Sequence, residues 1–401
     1  MPSEDPFRSH PARVVVAGGG IAAIELLVAL RKLAGERVRT ELLTPGDHLV
    51  YRPLLVAEPF GSGSVHRFPL AEILADQRAE LRRGSLKAVD PHAHEAISHS
   101  GERIPYDALA VATGARPRDA VPGALSFSGP AAVEPMRDLV ERSSRGEIGT
   151  LAFALAKPAA AWPLPLYELA LMTAARARRT RIVIATAEHA PLELFGAAVS
   201  EAVRERLDRA GVELHTDSPA VRFKDGVLEL EGDAGPFHAD AVVTLPALEA
   251  PAIEGLPSGF LPIDEHGRVE GTPDVYAAGD VTAYPVKQGG VSVRQAQAVA
   301  ECLAARAGAP VTPEPFEPLL RGVLLTGAAP GYIESRSGES LLADSPLWWP
   351  PTKIADSYLV PYLVSRFQLS VSMTPGSSEG DLVSSAPAGG EVPARPGRVA
   401  P

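Results

Sequence analysis

The chain has 401 residues, of which 45% are hydrophobic and 22% charged, as in an ordinary globular protein of two or three domains. Its formal charge of −11 disfavours binding to nucleic acid or to an anionic membrane surface. The single cysteine, Cys302, excludes an intramolecular disulfide, a paired-thiol redox centre and a zinc site of several thiolates, and we predict no metal site. No apolar run reaches the roughly 18–20 residues that span a bilayer, and the first ten residues lack the apolar core of a secretory signal. These features predict a cytoplasmic protein.

Short apolar segments alternate with segments of helical periodicity, which is the pattern of an α/β protein with parallel sheets. Strands are predicted at 13–17, 40–43, 108–112, 150–155, 181–185 and 241–245, and helices at 21–33, 165–177 and 196–210. Two further short strands, 221–223 and 227–230, flank a hairpin signal. The strand–helix series starts twice, near residues 13 and 150, so we expect two nucleotide-binding-type domains.

The first strand leads into a glycine-rich loop, in which Gly18, Gly20 and Ala23 fit the pattern G-x-G-x-x-[GA]. The first glycine permits a tight turn, the second lets the backbone approach a pyrophosphate, and the third small residue keeps the helix close to the sheet. The helix that begins with Ile21 and Ala22 would direct free N–H groups at the phosphates. The loop therefore predicts a dinucleotide site.

An acid at the end of the second strand would hold the ribose of such a dinucleotide. Thr44 occupies that place, and its hydroxyl is one candidate ribose ligand. Glu41 and Asp47 are the alternatives.

Two later segments share the form of a strand that ends in a small residue. The first ends in Ala-Thr-Gly, at Thr113 and Gly114, and the second ends in Gly279 and Asp280. Together with the glycine loop, their order and separation resemble the three FAD signatures of the pyridine nucleotide–disulfide oxidoreductase superfamily. The resemblance covers about residues 13–310 and implies that Asp280 binds the ribityl chain of FAD and the nearby phosphate.

Within that superfamily, the sequence most resembles type II NADH dehydrogenases and sulfide:quinone reductases. The segment with Arg52 and Pro53 is similar to their approach to the isoalloxazine, and the segment with Lys287 and Gln288 to their last flavin-facing element. Lys287 is then a flavin-facing cation that favours reduction, or alternatively a solvated loop lysine. Arg52 is either a flavin contact or a member of a surface ion pair. Lys87 matches the place where the backbone of these families meets the adenine.

The second predicted domain departs from the family at its own glycine loop. Residues 154–165 contain no glycine and three prolines, which limits close approach to a pyrophosphate and removes N–H donors. If a pyridine nucleotide binds, Glu188 after the next strand is either the ribose acid, which favours NADH over NADPH, or an exposed loop acid. Glu168 is either a catalytic group near the flavin edge or an acid in the first helical turn, stabilised by the helix dipole.

The remaining chain predicts a C-terminal module and two loose ends. Residues 311–373 are aromatic and punctuated by prolines, and Trp348, Trp349 and nearby tyrosines suit either core or dimer packing or a peripheral membrane contact at the inner face of the membrane. Pro361 should end or kink any helix there. Residues 1–12 are predicted to be a flexible leader and residues 374–401 a disordered tail.

These observations predict an FAD-dependent oxidoreductase with two Rossmann-like, three-layer ββα domains, the second inserted in the first. The FAD domain comprises residues 13–118 and 240–310, and the NAD(P)-binding-like domain residues 119–239. The resemblance implies electron transfer from a reduced donor, by default NADH, through FAD to a quinone-like or protein acceptor. Because the second glycine loop is missing, the alternative is a flavin-binding module or a flavoenzyme with a non-nicotinamide donor.

Overall fold

The structure, a computed structural model, describes residues 10–158, 161–336, 338–355 and 357–369. The predicted tail lies outside these ranges, as does most of the predicted leader. The first strand begins at Ala12, which lies inside the range predicted for the leader.

The described residues form short strands and seven α-helices, besides a few 3-10 turns. The strands, in chain order, are β1 (Ala12–Ala17), β2 (Val38–Thr44), β3 (His48–Tyr51), β4 (His66–Pro69), β5 (Glu80–Arg83), β6 (Leu86–Asp90), β7 (Glu95–Ser98), β8 (Arg103–Pro105), β9 (Ala108–Val111), β10 (Arg116–Arg118), β11 (Leu125–Ser126), β12 (Thr150–Ala154), β13 (Arg181–Ala185), β14 (Val212–His215), β15 (Ala220–Lys224), β16 (Val227–Leu230), β17 (Phe237–His238), β18 (Ala241–Thr244), β19 (Ala247–Glu249), β20 (Val275–Ala277), β21 (Leu320–Leu324), β22 (Gly331–Arg336) and β23 (Glu339–Ala343). The helices are α1 (Ile21–Leu33), α2 (Leu70–Gln77), α3 (Val133–Ser144), α4 (Leu164–Arg176), α5 (Ala197–Arg209), α6 (Gly289–Arg306) and α7 (Leu359–Phe367).

The first domain is built on a parallel sheet with the strand order β20-β9-β1-β2-β5. Alternate residues of β1 face opposite sides of this sheet. Val14 and Val16 pack with α1 and α6, whereas Val15 and Ala17 pack towards the antiparallel sheet β6-β7-β8. The layers are therefore sheet, sheet and helices, and Cys302 lies buried in the helical layer, where the Arg268 guanidinium donates to its Sγ at 3.1 Å.

The second domain repeats this plan between two strands of the first. Its parallel sheet has the order β11-β18-β12-β13-β14, and all of it falls between β9 and β20 in the chain. Leu151 and Phe153 of β12 pack with α4 and α5, and Ala152 and Ala154 pack towards the sheet β15-β16-β17. The predicted fold class, with the second Rossmann-like domain inserted in the first, is confirmed.

The C-terminal module consists of the antiparallel sheet β21-β22-β23 and helix α7, which packs on the FAD-domain core through Leu359 and Leu363. The prediction that Pro361 ends or kinks a helix was wrong. Pro361 is the third residue of α7, where a backbone N–H would have no acceptor within the helix. Trp348 is buried and donates to the Thr352 carbonyl at 2.9 Å, whereas Trp349 is 60% exposed. None of the helices in the described ranges is long and apolar enough to cross a membrane.

Candidate functional site

The glycine loop after β1 requires glycine at its first position and leaves open space at Gly20. Gly18 has φ of +131°, and a Cβ there would lie 2.1 Å from the Ala112 carbonyl oxygen. Gly20 is the N-cap of α1, where no described side chain caps the helix and a Cβ would meet nothing within 4 Å. The space in front of Gly20 and the free N–H groups of the first turn of α1 together form a cradle that suits a pyrophosphate.

Thr44 adjoins this cradle, and the two alternative ribose acids are engaged elsewhere. A Cβ on Gly19 would come within 2.5 Å of the Thr44 hydroxyl oxygen. The carboxylate of Glu41 instead accepts hydrogen bonds from Arg13 at 2.5 Å and from Arg82 at 2.7 Å, which lower its pKa against the effect of burial. Asp47 pairs with the adjacent His48 at 2.7 Å.

The two other FAD signatures converge on the same cradle. Thr113 and Gly114 lie just beyond the end of β9, and Gly114 takes a left-handed conformation with φ of +73°. Gly279 follows β20, and a Cβ there would lie 3.1 Å from the Ala22 side chain, so the chain passes close to α1. The segment that carries Asp280 is thereby brought to the N-terminus of α1.

Asp280 provides the test of whether the residues fit FAD. Burial raises the pKa of its carboxyl, while the charges of Lys287 and Arg52 lower it, and no described residue donates a hydrogen bond to it. A partly buried carboxylate without a donor, beside a cradle for phosphates, fits a group that brings hydroxyls, as the ribityl chain of FAD does. The residues present therefore fit FAD.

The side chain of Lys87 does not contribute to this cradle. It lies exposed in β6, where its ammonium faces Glu254 at 3.7 Å and its carbonyl accepts the Glu254 N–H at 3.1 Å. The expected contact of its backbone with adenine stays a prediction.

A cavity of about 310 Å³ lies between the FAD domain, the second domain and the C-terminal module. We call it the flavin cavity. It brings together six residues that the sequence singled out: Ile21, Arg52, Pro53, Glu168, Lys287 and Gln288. The C-terminal module contributes Val323, Lys353 and Ile354, none of which was expected.

Glu168 and Lys353 form a buried ion pair at this cavity. The Glu168 side chain is fully buried, and the Lys353 ammonium lies 2.6 and 2.8 Å from its two oxygens. The Leu325 N–H donates to the same carboxylate at 3.1 Å. Burial raises the pKa of Glu168, and the charge of Lys353 opposes that rise. The alternative of a first-turn acid was wrong, because Glu168 stands in the second turn of α4 and its counter-charge is Lys353.

Lys287 and Arg52 supply positive charge to the cavity wall. The Lys287 ammonium lies 4.0 Å from the centre of the Phe260 ring and donates to the Thr282 carbonyl. Burial lowers the pKa of Lys287 to about 8, against the charge of Asp280, so it is not a solvated loop lysine. Arg52 is exposed at the cavity and forms no ion pair with an acid in the described part of the chain.

Gln288 has a structural task that the sequence did not reveal. As the N-cap of α6, its side-chain oxygen accepts the Val291 N–H at 3.0 Å. Its amide nitrogen donates to the Arg321 carbonyl of the C-terminal module at 3.0 Å. Gln288 therefore fixes both α6 and the C-terminal module at the cavity.

The start of α4, at the end of the glycine-free loop, offers few backbone donors to a second dinucleotide. Pro165 has no N–H, and the Leu166 N–H already donates to the Pro163 carbonyl at 2.9 Å. The Trp162 ring stands edge-on to Phe195 at 5.5 Å beside this helix start. At the start of α4, therefore, neither Pro165 nor Leu166 supplies a free N–H group to a pyrophosphate.

Glu188 was expected at the adenosine ribose or in an exposed loop, and the structure places it in neither. Its side chain is buried, and one carboxylate oxygen accepts hydrogen bonds from Tyr167 at 2.6 Å and Thr186 at 3.0 Å. The other oxygen has no partner among the described residues. Burial raises the pKa of Glu188 to about 7. A carboxyl enclosed in this way is not presented to a ribose.

The two nested parallel sheets are those of a two-domain dinucleotide-binding protein, and Asp280, to which no described residue donates a hydrogen bond, suits the hydroxyls of FAD. The model of the pyridine nucleotide-disulphide oxidoreductase family matches residues 12–144 and 167–301, and the chain belongs to this family. The protein is an FAD-dependent oxidoreductase. The unmatched residues 145–166 contain β12 and the glycine-free loop, where the sequence departs from the expected motif.

Several known proteins are similar to this chain. The ferredoxin–NAD(+) reductase component of the biphenyl dioxygenase system of Paraburkholderia xenovorans LB400 is 25% identical over 299 residues, which are 69% of each chain. The sulfide:quinone oxidoreductase of Aquifex aeolicus has the same fold, with a TM-score of 0.73 at 18% identity over 92% of this chain and 100% of that one. NDH2 of Plasmodium falciparum, solved with NADH, has a TM-score of 0.64 at 11% identity over 83% and 92%.

Proposed function

We propose that this flavoprotein transfers electrons from a reduced donor, NADH in the first instance, through FAD to a quinone-like or protein acceptor. The observation that carries the proposal is the flavin cavity. Its walls combine the residues that face the FAD cradle with apolar residues of the C-terminal module, such as Val323 and Ile354. A largely apolar cavity with a few fixed polar groups is typical of a small-molecule site.

The chain's own residues have distinct tasks in this scheme. FAD, when bound, supplies the hydride and single-electron chemistry. Lys287 holds a positive charge beside the cradle, which favours the cofactor's negatively charged reduced form. Lys353 keeps an N–H donor beyond those that contact Glu168, and this donor suits a carbonyl oxygen of an acceptor.

NADH as donor draws support from the relatives, because the biphenyl dioxygenase component is named for its reaction with NAD(+). A second candidate, a donor that is not a nicotinamide, is favoured by the start of α4. There Pro165 lacks an N–H, the Leu166 N–H is already used, and Glu188 is enclosed.

The first experiment is anaerobic reduction of the purified flavoprotein. Rapid bleaching of the visible flavin band by NADH would support the nicotinamide donor, and reoxidation by a short-chain ubiquinone or by a ferredoxin would then identify the acceptor. If dithionite bleaches the band but NADH and NADPH do not, the donor is of another class. If the purified protein neither carries nor takes up FAD, the proposed function is wrong.

A further inference from the structure

A second cavity, of about 290 Å³, adjoins the flavin cavity. We call it the side cavity. It shares part of its wall, including Ala161, Leu245 and Lys287, with the flavin cavity. The described lining includes three cations, Arg118, Lys157 and Lys287, and no aspartate or glutamate. In a chain with a net charge of −11, such a concentration of positive charge calls for a functional explanation.

The acids that pair with Arg118 and Lys157 do not neutralise the side cavity. Arg118 faces Glu249 at 2.5 Å and Lys157 faces Glu231 at 3.4 Å, and neither acid lines the cavity. All four side chains are more than half exposed, so both pairs are weak and easily exchanged for another anion.

Lys287 differs from the other two because burial disfavours its charged form, and the charge of Asp280 offsets this effect only in part. Among the described residues, the Thr282 carbonyl is the one acceptor bonded to its ammonium, which leaves N–H donors for a ligand. An anion in the side cavity would offset the cost of burying this charge.

The rest of the lining determines what kind of anion fits. Leu155, Leu248, Phe260 and Tyr284 give the side cavity an apolar and aromatic wall. Its volume lies near the lower end of the range of ligand pockets, about 300–1,000 Å³, which suits a small molecule rather than a whole dinucleotide.

We propose that the side cavity binds a small organic anion, a carboxylate with an apolar or aromatic body, held by Arg118, Lys157 and Lys287. The proposal rests on the proposed function in one respect: the anion is a non-nicotinamide ligand of the same enzyme, bound beside the flavin cavity. The pyrophosphate of a dinucleotide is the other source of negative charge, and the experiment separates the two.

Benzoate is the probe, and its binding to the purified flavoprotein is followed by calorimetry and by the visible flavin spectrum. We expect saturable binding that weakens as ionic strength rises, and at least tenfold weaker binding of the neutral isostere benzamide. The double variant R118Q/K157Q should bind benzoate about tenfold more weakly. The matched control is R116Q/K224Q, which removes an exposed arginine and an exposed lysine outside the side cavity and should stay within twofold of the parent.

Three results would overturn the inference: no saturable benzoate binding, equal binding of benzamide, or equal benzoate binding by the two double variants. If R118Q/K157Q loses affinity for NADH in parallel with benzoate, the charge serves a dinucleotide and the small-anion assignment is wrong. Benzoate binding can still be measured by calorimetry if the protein carries no FAD. Failure of the proposed function is therefore distinguishable from failure of the anion site.

Discussion

Replacing Glu25 by glutamine should change how the stability of the protein depends on pH. Glu25 is buried in α1, and its carboxylate accepts the Tyr358 and Leu359 N–H groups at the start of α7, both at 2.8 Å. The Gln297 amide donates to it at 2.7 Å. One carboxyl of the FAD domain thus caps the helix of the C-terminal module.

Burial raises the pKa of Glu25 from 4.5 to about 7. Because the folded state holds this proton more tightly than the unfolded state, the associated stability is fully present below pH 4.5 and is lost as pH rises through about 7. Each pKa unit corresponds to about 1.4 kcal/mol. The free energy of unfolding should therefore fall by about 2–3 kcal/mol between pH 5 and pH 8 as this carboxyl ionises. Glutamine does not titrate, so E25Q should lack this loss.

The assay is urea unfolding at several pH values, together with hydrogen exchange of the α7 amides. At pH 5, E25Q should be less stable by about 1 kcal/mol, because its single acceptor oxygen serves two helix N–H groups. At pH 8, it should equal or exceed the parent. E188Q is the matched control, since Glu188 also has a pKa of about 7 but does not contact α7. E188Q should reduce the pH dependence of the free energy of unfolding and leave the hydrogen exchange of the α7 amides unchanged.

The reasoning is refuted if E25Q keeps the pH dependence of the parent, or if exchange of the α7 amides in the parent does not accelerate, beyond its intrinsic pH dependence, as pH rises from 6 to 8.

Further outcomes concern the glycine loop and the two lysines of the flavin cavity. G18A should give no folded flavoprotein, because its Cβ would overlap a carbonyl oxygen, whereas G20A should melt like the parent but bind FAD at least tenfold more weakly, as flavin content after gel filtration would show. K353M should lose about 3–5 kcal/mol in urea, because it leaves the buried Glu168 carboxylate without its counter-charge, and adding E168Q should restore stability but not turnover. The rate of flavin reduction should fall as pH rises through about 8, where Lys287 loses its proton, and stopped-flow traces of K287M should lack that step. Equal FAD affinity of G20A, an unaltered urea midpoint for K353M, or the same pH step in K287M would each contradict the corresponding argument.

The sequence predicted most of what local chemistry determines. Helix α1 has its predicted bounds, and the strands that precede Gly18 and Gly279 lie where apolar runs are bounded by turn residues. Gly18 could be recognised because a tight turn beneath a phosphate needs a residue without a Cβ. These features depend on a few neighbouring residues.

Features that depend on distant partners could not be read from the sequence. Lys353 belongs to no motif and meets Glu168 across 185 positions of the chain, and its only signal was the rarity of lysine. Glu188 follows its strand as a ribose acid would, but the chain turns inward and the Tyr167 hydroxyl takes its carboxylate. Gln288 looked like a flavin ligand, and only the position of Arg321 in the fold reveals its second bond.

The ion pair between Glu168 and Lys353 imposes an order on assembly. Glu168 belongs to the second domain, whereas Lys353 is synthesised after both domains are complete. Until the segment with Lys353 docks, the second domain contains an acid with no counter-charge, which must keep its proton or remain in contact with water. Docking of the C-terminal module therefore controls the protonation of Glu168, and a chain in which the module is detached would expose this acid to water in an open cavity.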